Sequence, residues 1–340
     1  MINVGIIGFG RIGRVHLESL AHYVKNAKAV AIADPFIDCI DAAVKAQAKS
    51  FGVKAFYADY REILNDPKID AVFICSSTDT HAKISIEAIK AGKHVFCEKP
   101  VDHEVKAINE VKAALKGSKL KYQVGFNRRF DHNFRAAREA YLKGQAGELT
   151  TLKITSRDPG APPVAYIKVS GGIFLDMTIH DFDMARYISG AEVEEVFAYG
   201  TVTVDKAIAE AGDIDTALIS MKLKGGALAV IDNCRRASYG YDQRIEVFGS
   251  RGQIDIKNDS ASTVTVSDAD GVTSEKPLYF FLERYMQAYA AEIIEFAEAI
   301  EKDTPVPVGI EDGLQAVRIA LAAKKSLAEG RAVKLSEIEG

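Results

Sequence analysis

The sequence predicts an α/β chain of two domains, and three observations carry that prediction. Over residues 1–124, short β-branched runs alternate with longer helical text. A G-x-G-x-x-G turn, "GFGRIG", follows the first of those runs. From residue 125 to 340 the text changes to long segments of period-two alternation with fewer helices between them. Apolar strands separated by helices are what a parallel sheet buried on both faces requires. Period-two strands suit an open, mostly antiparallel sheet with one face covered.

Taken in order, "NVGII" reads as a strand at residues 3–7, and a helix follows the glycine turn to about residue 22. "KAVAIAD" places a second strand at 29–33, and a helix is predicted over 37–51. "DAVFIC" is a strand at 70–75, "THAKISIEAIKAG" a helix ending near Gly92, and "HVFCE" another strand. A helix over 102–115 and a strand at 122–124 close the first domain. Right-handed crossovers leave little freedom in how these strands connect.

In the second domain a helix is expected over 134–143, then the strand of "LTTLKITSRDP" and a Pro/Gly-rich loop through Gly172. A helix follows over 174–188. The strands "EEVFAYGTVTV", "DTALISMKL", "ALAVIDN", "RIEVFGSRGQIDI" and "STVTVS" come next, with a hairpin at the Gly-Ser-Arg-Gly turn. Helices over 282–301 and 311–328 end the chain. One face of this sheet packs on helices, which leaves the other for a partner subunit.

Composition narrows the function classes. The 340 residues are 48% hydrophobic and 26% charged, a globular mixture. The net charge of -4, with acids and bases interspersed, does not resemble a nucleic-acid footprint. No apolar stretch reaches the roughly 20 residues that cross a bilayer, and no basic segment precedes a hydrophobic run at the N-terminus. A cytoplasmic protein with no membrane partner is expected. Cys39, Cys75, Cys97 and Cys234 form no CxxC pair. They read as buried free thiols, so neither a disulfide framework nor a thiolate metal site is expected.

The glycine turn lies between a predicted strand and a predicted helix at the start of a βαβ pattern, the context in which the motif has meaning. Gly8 permits the tight turn, Gly10 lets a pyrophosphate approach, and Gly13 allows helix and strand to pack closely. Helix N-terminal amides then face the phosphates. Asp34, roughly 20 residues beyond Gly13, ends the second strand where a carboxylate bonds ribose hydroxyls. Read blandly, these are a structural turn and a solvated strand end, but the two features support each other. The first domain is therefore a Rossmann domain. A carboxylate at 34 repels a 2′-phosphate, and Pro35 and Phe36 supply no basic pair, so NAD is expected over NADP.

Ligands of such sheets lie beyond the carboxyl ends of the strands, where "CSSTDTH" and "CEKP" bring polar residues. The expected cofactor contacts are Gly8, Phe9, Gly10, Arg11, Ile12, Gly13, Asp34, Ser76, Thr78, His81, Glu98 and Lys99. Ordinary readings stand beside them: His81 caps a helix, and Glu98 with Lys99 forms a solvated strand end. Charge at the end of a buried strand nevertheless has to be satisfied or used. As a functional residue, Lys99 bonds a substrate hydroxyl and favours its deprotonation.

"GFGRIG", "ADP", "CSSTDTH" and "CEKP", in this order, resemble the large family of NAD(P)-dependent sugar and polyol oxidoreductases typified by glucose-fructose oxidoreductase. "VGFNRRFD", "TSRDPGAPP", "GGIFLDMTIHDFDMARY" and "YGYDQRIEVFGS" are similar to its inositol 2-dehydrogenase subgroup, and are more specific than the glycine loop. The resemblance spans essentially the whole chain. It implies a neutral polyol or sugar substrate and homodimers or homotetramers built through sheet faces. It also implies catalytic roles for Lys99, Asp176 and His180, with His180 as proton acceptor. Polyol contacts are implied for Asn127, Arg129, Asp158, Asn233 and one of Tyr239 and Tyr241. Arg128, beside Arg129, reads equally well as a brace.

Asp176 and His180 stand four apart, a spacing that on one helix stacks two side chains on one face. Leu175, Ile179 and Phe182 mark the neighbouring apolar face. A structural pair, a metal site completed by Asp183, and a proton-transfer pair are the competing readings. No metal is expected, because nicotinamide chemistry needs none. An imidazole with a pKa near 6.5 is a serviceable base at neutral pH. Alcohol oxidation is the expected chemistry, with a non-catalytic NAD-binding sensor as the rival from another class.

Overall fold

The computed structural model describes residues 1–339. The chain opens with β1 (Ile2–Ile7), α1 (Arg11–His22), β2 (Ala27–Ala33), α2 (Ala42–Ser50), β3 (Ala55–Tyr57) and α3 (Arg61–Asn65). It continues through β4 (Ala71–Ile74), α4 (Thr78–Lys90), β5 (His94–Glu98), α5 (Val105–Leu115) and β6 (Tyr122–Gly125). Next come α6 (His132–Leu142), β7 (Leu149–Arg157), α7 (Val164–Ile167), α8 (Ile173–Asp176) and α9 (Ile179–Ser189). The remaining strands are β8 (Val193–Thr201), β9 (Thr216–Leu223), β10 (Leu228–Cys234), β11 (Asp242–Gly249), β12 (Gly252–Ile256), β13 (Thr265–Asp268), β14 (Gly271–Ser274) and β15 (Val333–Lys334). The remaining helices are α10 (Lys206–Glu210), α11 (Phe281–Arg284), α12 (Met286–Glu301) and α13 (Ile310–Glu329).

Two compact units result. The first joins Met1–Phe130 with Met286–Val317, and the second joins Asp131–Tyr285 with Arg318–Glu339. An unbroken second domain over 125–340 does not describe this division. Residues 286–317 return to the first unit because α12 buries Ile293, Phe296 and Ala297 in its core.

In the first unit six parallel strands run β3-β2-β1-β4-β5-β6. The order reverses between β1 and β4, which makes that crevice the expected ligand site. Every residue of β4 is buried, as a strand covered on both faces must be. Phe73 and Phe96 stack at 4.8 Å, and Phe296 meets both edge-on at 5.9 Å. The single helix predicted over 37–51 is two pieces. A 3-10 turn covers Ile37–Cys39, Ile40 is extended, and the Asp41 carboxylate caps α2 by accepting from the Ala43 amide at 2.7 Å.

The second unit carries a seven-stranded sheet in the order β12-β11-β7-β10-β9-β8-β15. Only the central β7–β10 pair is parallel, so the sheet is open and mostly antiparallel as predicted. Strand β9 shows the two faces plainly: Ala217, Ile219, Met221 and Leu223 are buried, and the residues between them are not. Ser326 of α13 ties a helix to the sheet by accepting from the Ala198 amide at 3.0 Å. The opposite face leaves Tyr199, Leu218, Leu228 and Phe248 exposed, and Tyr199 is 68% accessible.

Among the described residues, no helix is long and apolar enough to cross a membrane. All four cysteines are free thiols. Cys75 and Cys97 are buried as expected, but Cys39 is exposed and Cys234 half-buried, because Cys39 falls in the 3-10 turn that interrupts the predicted helix.

Candidate active site

The dinucleotide half of the site is built at the β1–α1 turn. Gly8 adopts φ 91°, closed to most side chains. A Cβ on Gly13 would overlap the Gly8 carbonyl oxygen, so the helix can begin there only with glycine. Gly10 faces open space, and α1 starts without a side-chain cap, leaving its first amides for an anion. The Asp34 carboxylate accepts from the Phe9 amide at 2.7 Å and the Phe36 amide at 2.8 Å. Those bonds fix its orientation while lone pairs remain for ribose hydroxyls. The loop, the uncapped helix end and the oriented carboxylate fit an NAD molecule. Phe9 is buried beneath the turn, whereas Arg11 is exposed at the start of α1 and Ile12 is half-buried. Phe36, at 72% accessible, is free to cover an adenine.

Two further strand ends meet this region. Ser76 and Thr78 precede and open α4, with the Ser76 hydroxyl 2.6 Å from that of Thr80. His81 is buried, with Nδ1 at 2.8 Å from the Pro100 carbonyl and Nε2 at 3.0 Å from that of Ser76. Only a doubly protonated ring donates to both. Burial opposes that charge, but Cys97 and the two carbonyls outweigh it and raise the pKa to about 9. His81 therefore ties the "CSST" loop to the "EKP" strand end, and its ring nitrogens are not available as cofactor contacts. Glu98 is also turned inward, with Oε1 2.7 Å from His16 Nε2. Lys99 is partly exposed, and its peptide with Pro100 is cis.

The second unit holds the acid and the imidazole, but not on one continuous helix. Asp176 ends α8 and His180 lies in the first turn of α9. Between them the ladder slips: the Thr178 amide bonds the Ile173 carbonyl five residues back, at 2.9 Å. The slip has a tertiary cause. The Thr178 hydroxyl donates to Asn233 Oδ1 at 2.5 Å, and the Asn233 amide donates to Asp181 at 2.9 Å and to the Ser156 carbonyl at 3.2 Å. The i,i+4 stacking expected of Asp176 and His180 thus gives way to a bent helix pair. The apolar face is as expected, with Leu175, Ile179 and Phe182 buried. Asp183 is buried as well.

Asp176 is held by two residues that the sequence reading passed over. Buried Arg235 reaches its Oδ2 at 3.2 and 3.3 Å, and the Tyr166 hydroxyl donates to its Oδ1 at 2.8 Å. Arg235 also lies 3.6 Å from Asp213, which accepts from the Ile173 amide at 3.0 Å at the start of α8. In "NCRRAS" residue type does not mark which arginine is buried, but the period-two alternation of β10, continued one residue, points to Arg235.

Several expected polyol contacts serve the fold. Asn233 is fully buried in the bonds just given. Asn127 is buried, and Arg129 pairs with Asp312 of α13 at 2.9 Å. Buried Arg128 fits a brace. The Tyr239 hydroxyl donates to Asp242 at 2.6 Å and accepts from Arg157 at 3.2 Å. Tyr241 is buried, its ring edge-on to Tyr285 at 5.8 Å. Asp158 is partly exposed, with its backbone bonded to Cys234 and Ala237.

The fold and this donor set define a nicotinamide-dependent oxidoreductase, and the chain belongs to the oxidoreductase family with an NAD-binding Rossmann fold. That family's model matches residues 2–126, and its C-terminal alpha/beta domain matches residues 138–335. Over all of both chains the protein is 49% identical to a myo-inositol 2-dehydrogenase of Thermotoga maritima. It is 45% identical to an inositol 2-dehydrogenase of Rhizobium meliloti, covering 98% of this chain and 99% of that one. Scyllo-inositol dehydrogenase from Lactobacillus casei, solved with bound NAD(H) and scyllo-inositol, superposes with a TM-score of 0.90. That pair shares 32% identity over 98% of this chain and 99% of the other.

Proposed function

We propose that the protein oxidises a ring hydroxyl of an inositol with NAD, converting myo-inositol to the 2-keto compound. The supporting observation is full-length identity of 49% to a protein named myo-inositol 2-dehydrogenase, with the glycine turn, Asp34, Lys99, Asp176 and His180 all present. NAD, held by the glycine turn and Asp34, would supply the acceptor for a hydride from the carbinol carbon. His180 takes the hydroxyl proton, and cationic Lys99 stabilises negative charge building on that oxygen. Asp176, oriented by Arg235 and Tyr166, addresses the imidazole or a second hydroxyl. Asp158 and Tyr241 are the remaining polyol contacts. Arg129 and Asn233 act through the fold.

Asp34 supports NAD in preference to NADP. The likeness to the scyllo-inositol dehydrogenase makes scyllo-inositol the second candidate substrate, and an aldose such as glucose presents a similar ring of hydroxyls. We place the reaction in the cytoplasm. The exposed apolar face of β8–β11, with Tyr199 directly opposite Leu218, suits a second copy of the chain and hence a homodimer or homotetramer. Sedimentation at micromolar concentration tests this, and a monomer would refute it.

The deciding assay is initial-rate NAD reduction across inositol isomers and aldoses, repeated with NADP. Highest kcat/KM with myo-inositol and NAD is expected. No turnover with any polyol would leave an NAD-binding sensor as the better reading.

A further inference from the structure

Beneath the strand end that carries Lys99 lies a polar cluster that no step above uses. Glu98, the last residue of β5, is buried against His16 of α1 at 2.7 Å. Glu292 of α12 is fully buried, and neither of its carboxylate oxygens meets a hydrogen-bond donor. The His16 ring nitrogen and one oxygen from each glutamate lie within 4.8 Å of one another.

The surroundings are apolar. The rings of Phe73, Phe96 and Tyr289 stand edge-on to His16 at 5.1 to 5.8 Å. From the sheet, Cys75 at the end of β4 is the further ionisable group near both glutamates. Gln123 of β6 directs its amide to the Glu292 backbone carbonyl at 2.8 Å. Among the described residues no lysine or arginine side chain pairs with either glutamate. Two ionised carboxylates so close in such a setting repel, and one must keep its proton. Glu98 has the imidazole and its own neighbour's amide, Lys99 N–H at 3.3 Å, to bond the charged form. Glu292 has neither. Burial, with Glu98 adding, holds the Glu292 carboxyl well above the usual range.

We propose that Glu292 is a positioning residue that stays protonated at neutral pH and donates its hydroxyl to the Glu98 carboxylate. With His16 on the other side, it fixes the strand end whose next residue is Lys99. Glycine at 125 suits the arrangement, since a Cβ there would press on the Glu98 carboxylate at 3.1 Å. The proposal rests on the reading of Lys99 as the group that meets the reacting hydroxyl. The arrangement requires only that Glu292 keep its proton; no bond is made or broken.

The test compares wild type with Glu292→Gln, which keeps a donor, and Glu292→Met, which removes it at similar volume. Infrared difference spectra at pH 7 should show a protonated carboxylic acid carbonyl in wild type, shifted in heavy water and missing from Glu292→Gln. Glu292→Gln should keep kcat/KM within about twofold, whereas Glu292→Met should lose about tenfold, mainly in kcat, with NAD affinity nearly unchanged. Absence of the acid band would overturn the proposal. So would wild-type turnover in Glu292→Met, or a stoichiometric divalent cation on the purified protein that both variants lose. If wild type oxidises no polyol, the functional reading fails, and the infrared comparison still decides the protonation of Glu292.

Discussion

Replacing Arg235 by methionine tests how the second unit holds Asp176. The guanidinium is 1% exposed, and the Asp176 and Asp213 side chains are 13% and 11% exposed. At the 3.2 Å separation from Asp176, an effective dielectric of about 20 gives an attraction of roughly 5 kcal/mol, much of it offset by desolvation. Removing the cation leaves two carboxylates with little water, so a loss of about 3–5 kcal/mol is expected. Adding Asp213→Asn removes one of the stranded charges and keeps an acceptor for the Ile173 amide. The double variant should therefore regain about 1–3 kcal/mol relative to the sum of the single changes. Urea unfolding at pH 7.5, followed by circular dichroism with midpoint and slope both determined, measures each term. A loss under about 1 kcal/mol for Arg235→Met, or strict additivity in the double variant, would refute the buried-cation account. Tyr166→Phe separates orientation from stability: it removes the 2.8 Å bond to Asp176 and should lower kcat while leaving the urea midpoint nearly unchanged.

Three other outcomes are expected. His180→Ala should lower kcat/KM by about 10²–10⁴-fold with NAD affinity by calorimetry unchanged, and near-normal turnover would remove His180 from proton transfer. Asp34→Ser should narrow the preference for NAD over NADP in paired kcat/KM measurements, whereas an unaltered ratio contradicts its ribose role. Asp215 sets an acid limb. Burial raises its carboxyl, but the amides of Thr203, Val204 and Asp205 and the Thr216 hydroxyl outweigh burial and hold it below the usual range. A depressed folded pKa contributes stability above the unfolded value near 3.9 that is lost as pH falls through the folded value. Asp215→Asn should thus cost more at pH 7 than at pH 3, read as the difference in urea midpoints.

Much of the fold was legible because burial leaves a pattern in residue type. A strand covered on both faces reads as a continuous apolar run, as in "AVFI" of β4, and a strand covered on one face alternates, as in "TALISMKL" of β9. The glycine turn was legible for a different reason: Gly8 and Gly13 meet backbone that no side chain can displace. Strand β3 escaped notice because its three residues are only half-buried and carry neither pattern. The 37–51 segment kept a helical composition across its break, since only extended Ile40 and the capping Asp41 separate the two pieces.

What stayed hidden depends on which partner does the burying. The text over 174–188 suits a single helix at every position, yet the Thr178–Asn233 bond, across 55 residues, shifts the ladder between Asp176 and His180. Asn233 was expected as a ligand because the resemblance implied it, and only the fold reveals that its donors and acceptor are already committed. Glu292 shows the converse. In "AEIIEFAEAI" it resembles the solvated acids around it, but Tyr289, Ile293 and Phe296 place it on the apolar face of α12 at helical spacing. An acid on that face either finds a cation or keeps its proton, and the nearest charged neighbour is another carboxylate. The residues proposed as reactive, Lys99, Asp176 and His180, were legible in the sequence, while those proposed to orient them, Arg235, His16 and Glu292, emerge only where distant segments meet.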